Sequence, residues 1–415
     1  MSREPLTFIG ETNWRDMRKR FGSRPADRRA HMYVIGKTGT GKSSLLEGMI
    51  RQDLVAGHGL ALFDPHGDLA ERLALWMPES RKADLIYLDV PDPTQQFGFN
   101  PLEGVSPLRR SVAANGIVEA LKKIFSEAWG VRLEYILRSA LLLLLEQPEA
   151  TLADVVRLFH DKDFRKEAAE RSQNEQVKRF WSTEFEKLGR QRAEAVSPIE
   201  NKLGSLLVDP FVSRILTATK STFNPRAAMD EGKVLLVNLS KGKIGEAPAM
   251  LFGGLLVTAL GLAGLGRADM PQKERRDFFI YMDEFQTFTT LALANMLAEL
   301  RKYSCGLVLA NQYMDQIEPE IRTAILGNAG TLVVFRVGAV DAGKLVKELR
   351  PDLEPYELTL LRNRTFWIRP LVNGESVEAF TGKTITLREP LMGTREQPRP
   401  GKSRPEEPDA TVPLA

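Results

Sequence analysis

The chain has 415 residues, 43% hydrophobic and 27% charged, with a formal net charge of +3. This is the composition of a globular protein with room for two or three domains, and the near-neutral balance excludes nucleic-acid binding by overall charge, so any such surface must be local. Cys305 is the only cysteine, which excludes an internal disulfide framework and fits a reducing cytoplasm, and the start Met1-Ser-Arg-Glu-Pro lacks the apolar core of a signal peptide.

Residues 1–30 read as an irregular, basic lead-in with Arg15, Arg18, Lys19, Arg20, Arg24, Arg28 and Arg29. A solvated face is preferred there to a nucleic-acid contact. The apolar run Met32 to Ile35 then breaks into Gly36-Lys37-Thr38-Gly39-Thr40-Gly41-Lys42-Ser43-Ser44, which satisfies G-x-x-x-x-G-K-[ST] at every fixed position. A chain that wraps a polyphosphate must turn its N–H groups inward, and the glycines permit that approach. Lys42 is placed to reach the β- and γ-phosphates, and Ser43 to give a hydroxyl to Mg²⁺. The helix that starts here points its positive end at the anion, and Leu45, Leu46, Met49, Ile50 and Leu54 share one of its faces.

Gly59 to Asp64 reads as a buried strand ending in Asp64-Pro-His-Gly-Asp68. Asp64, His66 and Asp68 have the chemistry of metal ligands, but a turn with an Asp at each end is the simpler reading. A third strand, Asp84 to Asp89, precedes Phe97-Gly-Phe-Asn-Pro101. Residues 106–230 are then helical in pattern and read as an inserted all-α region. The sheet resumes at Lys233 to Leu239. The uncharged segment Ala247 to Gly266 is long enough to span a bilayer, but its place between two strands predicts a buried crossover helix.

Phe278-Phe-Ile-Tyr-Met-Asp283-Glu284 has the Walker B form: a buried strand delivers Asp283 to a Mg²⁺ ion, and Glu284 can polarise the attacking water. A helix with Leu293, Met296, Leu297 and Leu300 ends in Arg301-Lys302. The strand Leu307 to Ala310 terminates in Asn311-Gln312, where an amide can sense the γ-phosphate or hold the water. Strands follow at Thr331 to Val337, with Arg336, and at Thr365 to Val372, where the fold is expected to end. From Arg388 the sequence is rich in proline and charge and reads as a disordered tail.

Gly36 to Ser43, Phe63-Asp-Pro-His-Gly-Asp-Leu69, Phe97 to Leu102, Val237-Asn-Leu-Ser-Lys-Gly242, Met282-Asp-Glu-Phe285 and Leu309-Ala-Asn-Gln312 together resemble the HerA/FtsK superfamily of P-loop ATPases. Within it they look most like TraG/TraD-like coupling proteins of conjugation and type IV secretion. The resemblance implies an α/β fold, a RecA-like core with a mainly parallel sheet and an inserted all-α domain. The layout is a lead-in at 1–30, the core at 31–105 and 231–387, the insertion at 106–230 and the tail at 388–415. It further implies an ATP- and Mg²⁺-dependent hexameric ring that translocates DNA without regard to sequence, with a relaxase or nuclease as a partner.

By position, Lys42 and Ser43 correspond to the Walker A residues, Asp283 and Glu284 to the Walker B pair, and Gln312 to the sensor amide. Arg301 stands where coupling proteins have a glycine-arginine-lysine phrase with an arginine finger that acts in trans. Leu300 replaces that glycine, which keeps Arg336 as a rival. Coupling proteins carry membrane helices before the motor and this sequence shows none, so the expectation is a cytoplasmic protein, either a soluble DNA motor of the HerA kind or a coupling-protein relative that a partner recruits to the inner membrane. The reading from another class is a nucleotide-gated docking protein that recruits cargo through the all-α region.

Overall fold

A computed structural model of the chain describes residues 6–13, 18–290, 292–350 and 352–385. Arg15 and the proline-rich segment 388–415 lie outside them. The strands are β1 (Thr7–Thr12), β2 (Arg20–Ser23), β3 (Met32–Ile35), β4 (Gly59–Asp64), β5 (Leu85–Asp89), β6 (Val234–Asn238) and β7 (Phe278–Met282), then β8 (Cys305–Asn311), β9 (Thr331–Val334), β10 (Thr365–Arg369), β11 (Leu371–Val372), β12 (Glu375–Ser376) and β13 (Phe380–Lys383). Eleven of them form one sheet in the order β2-β1-β13-β10-β9-β3-β8-β7-β4-β6-β5, while β11 and β12 make a separate hairpin. From β9 to β5 every pairing is parallel, and β10, β13, β1 and β2 extend the sheet antiparallel. This is the RecA-like, mainly parallel architecture that the resemblance implies.

The central strands are apolar on both faces because both are covered, as parallel sheets require. Val34, Leu62, Tyr281 and Val308 pack with Leu46, Met49 and Ile50 of the phosphate-loop helix Lys42–Ala56. Ile35, Phe63, Ile280 and Leu309 face the other way, onto Phe252 and Leu256 of the helix Glu246–Gly266. No strand lies between β5 and β6; the intervening chain is helical, including Arg110–Ile124, Val131–Leu144 and Arg192–Leu207. Its own aromatic cluster joins Phe159, Phe180, Trp181 and Phe185.

The helical run Glu246–Asp269 is long and apolar enough to cross a membrane, yet 72% of its most apolar window is buried in the fold. Its glycines admit neighbours at close range. A Cβ at Gly253 would lie 2.4 Å from the Phe288 ring, and one at Gly261 would lie 2.8 Å from the Met296 sulfur. On its other side Thr258 packs on Gly116 of Arg110–Ile124. The predicted crossover helix is thus wedged between the insertion and the segment that follows β7.

The described part of the N-terminal lead-in is not irregular. β1 pairs with both β2 and β13, so the sheet does not end at Val372 but continues through Phe380–Lys383. Nor is its charge all on a solvated face. Arg28 is 4% exposed and donates to both Asp53 carboxylate oxygens at 2.6 and 2.7 Å, to Thr7 Oγ1 at 2.8 Å and to the Tyr281 hydroxyl at 2.6 Å. Its guanidinium lies 3.6 Å from the Phe279 ring centroid. Arg29 pairs with Asp277, and Arg24 donates to Asn373. A sequence period cannot reveal such pairs, because each partner stands in a distant part of the chain.

Arg28 and Asp53 therefore tie the lead-in, the phosphate-loop helix and β7 through one desolvated pair. Removing one member of such a pair strands a buried charge, typically at a cost of about 3–5 kcal/mol. Asp53→Ala is expected to lose that much in denaturant unfolding. The double variant Arg28→Met/Asp53→Leu should lose less than the single one.

Candidate active site

Parallel register decides which side chains meet. Ile35 stands opposite Asn311, and Met282 opposite both Leu309 and Phe63. The residues that follow these positions, Gly36, Gln312, Asp283 and Asp64, consequently emerge at one edge of the sheet, where ligands bind in open α/β folds. The phosphate loop is pinned there from both sides: Gly36 N–H donates to Asn311 O, Lys37 N–H to Arg336 O, and Arg364 N–H to Thr40 O.

Within the loop Gly39 and Gly41 have φ of +75° and +122°, values that favour glycine, and a Cβ on Gly36 would stand 2.5 Å from Phe335 Cβ. Thr40 is buried and its hydroxyl donates to Lys37 O at 2.7 Å. Lys37, Thr38, Gly39 and Ser43 are exposed at the rim, with Ser44 half-buried behind them. Lys42 is folded back, its Nζ donating to Gly36 O at 2.6 Å and standing 3.9 Å from Glu284 Oε1. Burial pushes its ammonium below the ordinary lysine value, against the pull of Glu284 and Asp283.

Ser43 Oγ donates to Asp283 Oδ2 at 3.1 Å, so the two residues predicted at a metal stand together. Asp283 is 5% exposed. Burial, with the neighbouring Glu284 and Asp64 carboxylates, pushes its pKa up to about 6. A hydroxyl beside a carboxylate that resists carrying its charge is a hard-oxygen donor set suited to Mg²⁺. Asp64 is used differently: its carboxylate accepts the N–H groups of His66, Leu69 and Ala70 at 2.9, 2.8 and 3.0 Å. His66 and Asp68 are exposed, and no cluster of three His, Cys, Asp or Glu with metal-holding geometry occurs among the described residues. The turn reading describes this motif.

Glu284 is 6% exposed and has a left-handed backbone, φ 44°, which costs a non-glycine residue about 1 kcal/mol or more and directs the carboxylate into the site. Gln312 Nε2 donates to its Oε1 at 3.1 Å, and Gln286 Nε2 to its Oε2 at 2.7 Å. Gln312 was expected here and Gln286 was not. Its only local signal is a spacing of two from the acidic doublet.

Arg301 does not join this group. It lies on the turn Leu300–Tyr303 before β8, whose seven residues put it about 20 Å from Gln312, at the opposite edge of the sheet. It is exposed and makes no side-chain hydrogen bond or ion pair among the described residues. Its platform is anchored by buried His31, whose Nε2 donates to Leu297 O and whose Nδ1 accepts Leu307 N–H, both at 3.0 Å. Burial pushes that imidazole down to about 4 and keeps it neutral. Arg336 is half-buried beside its own phosphate loop and already donates to Leu361 O and Asn363 Oδ1.

No protein-family model and no curated protein matches this chain. Solved structures match its fold. The bacterial conjugative coupling protein TrwBΔN70 in its unbound monoclinic form has a TM-score of 0.61 at 16% identity, over 94% of this chain and 91% of that one. The plasmid coupling protein TrwB in complex with ADP and Mg²⁺ gives the same values. VirB4 of Thermoanaerobacter pseudethanolicus has a TM-score of 0.61 at 11% identity, over 93% of this chain and 98% of that one. The resemblance read from the motifs is matched by the fold.

Asp283 sets a pH dependence. In the folded chain it keeps its proton up to about pH 6, whereas its ordinary value is 3.8, so stability falls as pH rises through that window. Asp283→Asn removes the effect. Without nucleotide or metal, the variant should exceed the wild type by up to about 3 kcal/mol above pH 6, several degrees in Tm. The gain should vanish below about pH 4, as thermal unfolding across pH would show.

Proposed function

We propose that this chain is a Mg²⁺-dependent ATPase that assembles into a homo-hexameric ring and translocates DNA, as a cytoplasmic coupling ATPase of the conjugation or secretion kind. The observation that carries the ATPase reading is the convergence of Lys42, Ser43, Asp283, Glu284 and Gln312 at one sheet edge. The division into a two-part core at 31–105 and 231–387 and an all-α insertion at 106–230 belongs to this reading. So do a relaxase or nuclease partner and recruitment to the inner membrane by a partner.

The loop from Gly36 to Ser44 would wrap the phosphates, with the first-turn N–H groups of Lys42, Ser43 and Ser44 as donors, since a helix start leaves them unpaired. Ser43 and Asp283 would hold Mg²⁺, which when bound neutralises charge on the phosphate oxygens. Lys42 exchanges the Gly36 carbonyl for a phosphate oxygen, a short swing of a flexible side chain. Glu284 takes a hydrogen bond from the water that attacks the γ-phosphoryl group, and Gln312 holds the carboxylate and water in line. Arg301 points away from its own loop and serves the site of a neighbouring subunit, where it stabilises charge in the transition state. Arg336 is the weaker candidate because its guanidinium already binds the 361–363 loop of its own chain.

Glu284→Gln should bind ATP yet turn it over about a hundredfold more slowly. Wild-type turnover in that variant removes Glu284 as the base, and no ATP turnover in the wild type rules out the ATPase reading. Arg301→Ala and Lys42→Ala should each be inactive alone but recover part of the turnover when their subunits share a ring. Joint rings that stay inactive, with recovery in Arg336→Ala mixtures instead, assign the finger to Arg336.

DNA should raise turnover and bind without sequence preference, with an affinity that falls steeply with salt. Turnover indifferent to DNA would favour the docking reading.

A further inference from the structure

Lys123 lies in the last turn of the helix Arg110–Ile124, within the helical insertion and 163 residues before Gln286. Its Nζ donates to Gln286 O at 2.5 Å and to Thr289 O at 2.6 Å. A lysine normally keeps its ammonium in water, and a half-buried one held by neutral carbonyls is uncommon. Burial brings its pKa down to about 8, opposed by Glu318 at the start of the helix Pro319–Asn328. Glu318 belongs to the segment that follows Gln312. Lys123 therefore stands between the two segments whose amides hold Glu284.

Of the two carbonyls it binds, that of Gln286 lies inside the turn Phe285–Thr287, which starts from the left-handed Glu284, and that of Thr289 lies just beyond it. Thr287 N–H donates back to Glu284 O at 3.0 Å, and the Thr289 hydroxyl donates to Phe285 O. Gln286, held at its backbone by Lys123, donates its side-chain amide to Glu284 Oε2 at 2.7 Å. A continuous chain of hydrogen bonds thus runs from the insertion to the carboxylate. Contiguous contacts of this kind carry energetic coupling when both ends have two arrangements.

We infer that Lys123 is a positioning residue for Glu284, acting through Gln286, so that a shift of the inserted helices alters ATP turnover without touching the nucleotide. The inference rests on Glu284 acting as the general base. It gives the insertion a role in hydrolysis: a partner or DNA strand that moves Arg110–Ile124 would change the geometry of the base.

The test is steady-state ATP turnover of the full chain. Methionine keeps the four-atom stem of lysine without the ammonium donor, so Lys123→Met should lower kcat about tenfold or more while leaving KM for ATP within about threefold, the size seen when an outer partner of a reacting group is lost. Lys123→Arg should restore kcat to within about threefold of wild type. Gln286→Ala should show a similar fall, and adding Lys123→Met to it should lower kcat little further, because the two act in series.

Wild-type kcat in Lys123→Met overturns the inference, as does a loss that adds in full to that of Gln286→Ala. If Lys123→Met does not fold, Gln286→Ala decides alone, and wild-type turnover there overturns the inference. Glu284→Gln run in parallel separates the premises. Full activity in that variant removes Glu284 as the general base, whereas an inactive Glu284→Gln beside an active Lys123→Met removes only the coupling.

Discussion

Everything at the candidate site depends on the parallel register of β4, β7, β8, β3 and β9. A parallel sheet delivers the carboxyl ends of all its strands to one edge, and hydrogen bonding along the ladder fixes their relative heights. Gly36 stands far from Asp283 and Gln312 in sequence, yet each follows a strand whose last residues stand opposite one another. A slip of one residue between β7 and β8 would turn their apolar side chains to the wrong faces, so core burial itself protects the alignment of the candidate groups.

Two further devices hold that frame. The first is the buried Arg28–Asp53–Tyr281 cluster, which locks the phosphate-loop helix to β7 and recruits the N-terminal strands to the same purpose. A desolvated charge pair gives little net stability beside an apolar substitute, but it tolerates no misplacement, because each charge left unpaired is costly. The second is the glycine-bearing helix Glu246–Gly266. Phe288 and Met296 approach its backbone where side chains would otherwise stand, so the segment leaving Glu284 is packed against a helix that also carries the insertion. The insertion is joined to the site through this helix and through Lys123.

The two ends of β8 carry different groups. Lys42, Ser43, Asp283, Glu284 and Gln312 gather at one sheet edge, whereas Arg301 is exposed at the other end of β8 on a platform that neutral His31 ties down. A residue so placed cannot reach its own phosphate loop. The proteins with this fold include a conjugative coupling protein and VirB4, and a ring that pairs opposite edges of adjacent subunits would give the exposed arginine a partner.

The sequence by itself determined what is local. The Gly36 to Ser43 loop, the buried strands around it and the Asp283-Glu284 doublet depend on spacing within a dozen residues, and each lies where the pattern put it. The crossover helix at Ala247 to Gly266 could also be inferred, because its place between two strands outweighed its hydropathy. Tertiary structure alone decided the rest. Arg28 and Arg29 looked like surface charge because nothing in a basic lead-in announces that Asp53 and Asp277 will meet them. Phe380–Lys383 is too short to register as a strand until β10 and β1 flank it. The role of Asp64 as acceptor for the N–H groups of the next turn emerges only in the folded chain. Gln286 and Lys123 were invisible for the same reason: a hydrogen bond to a backbone carbonyl leaves no trace in residue type, and only the folded chain brings a lysine of the insertion to the turn that aims Glu284.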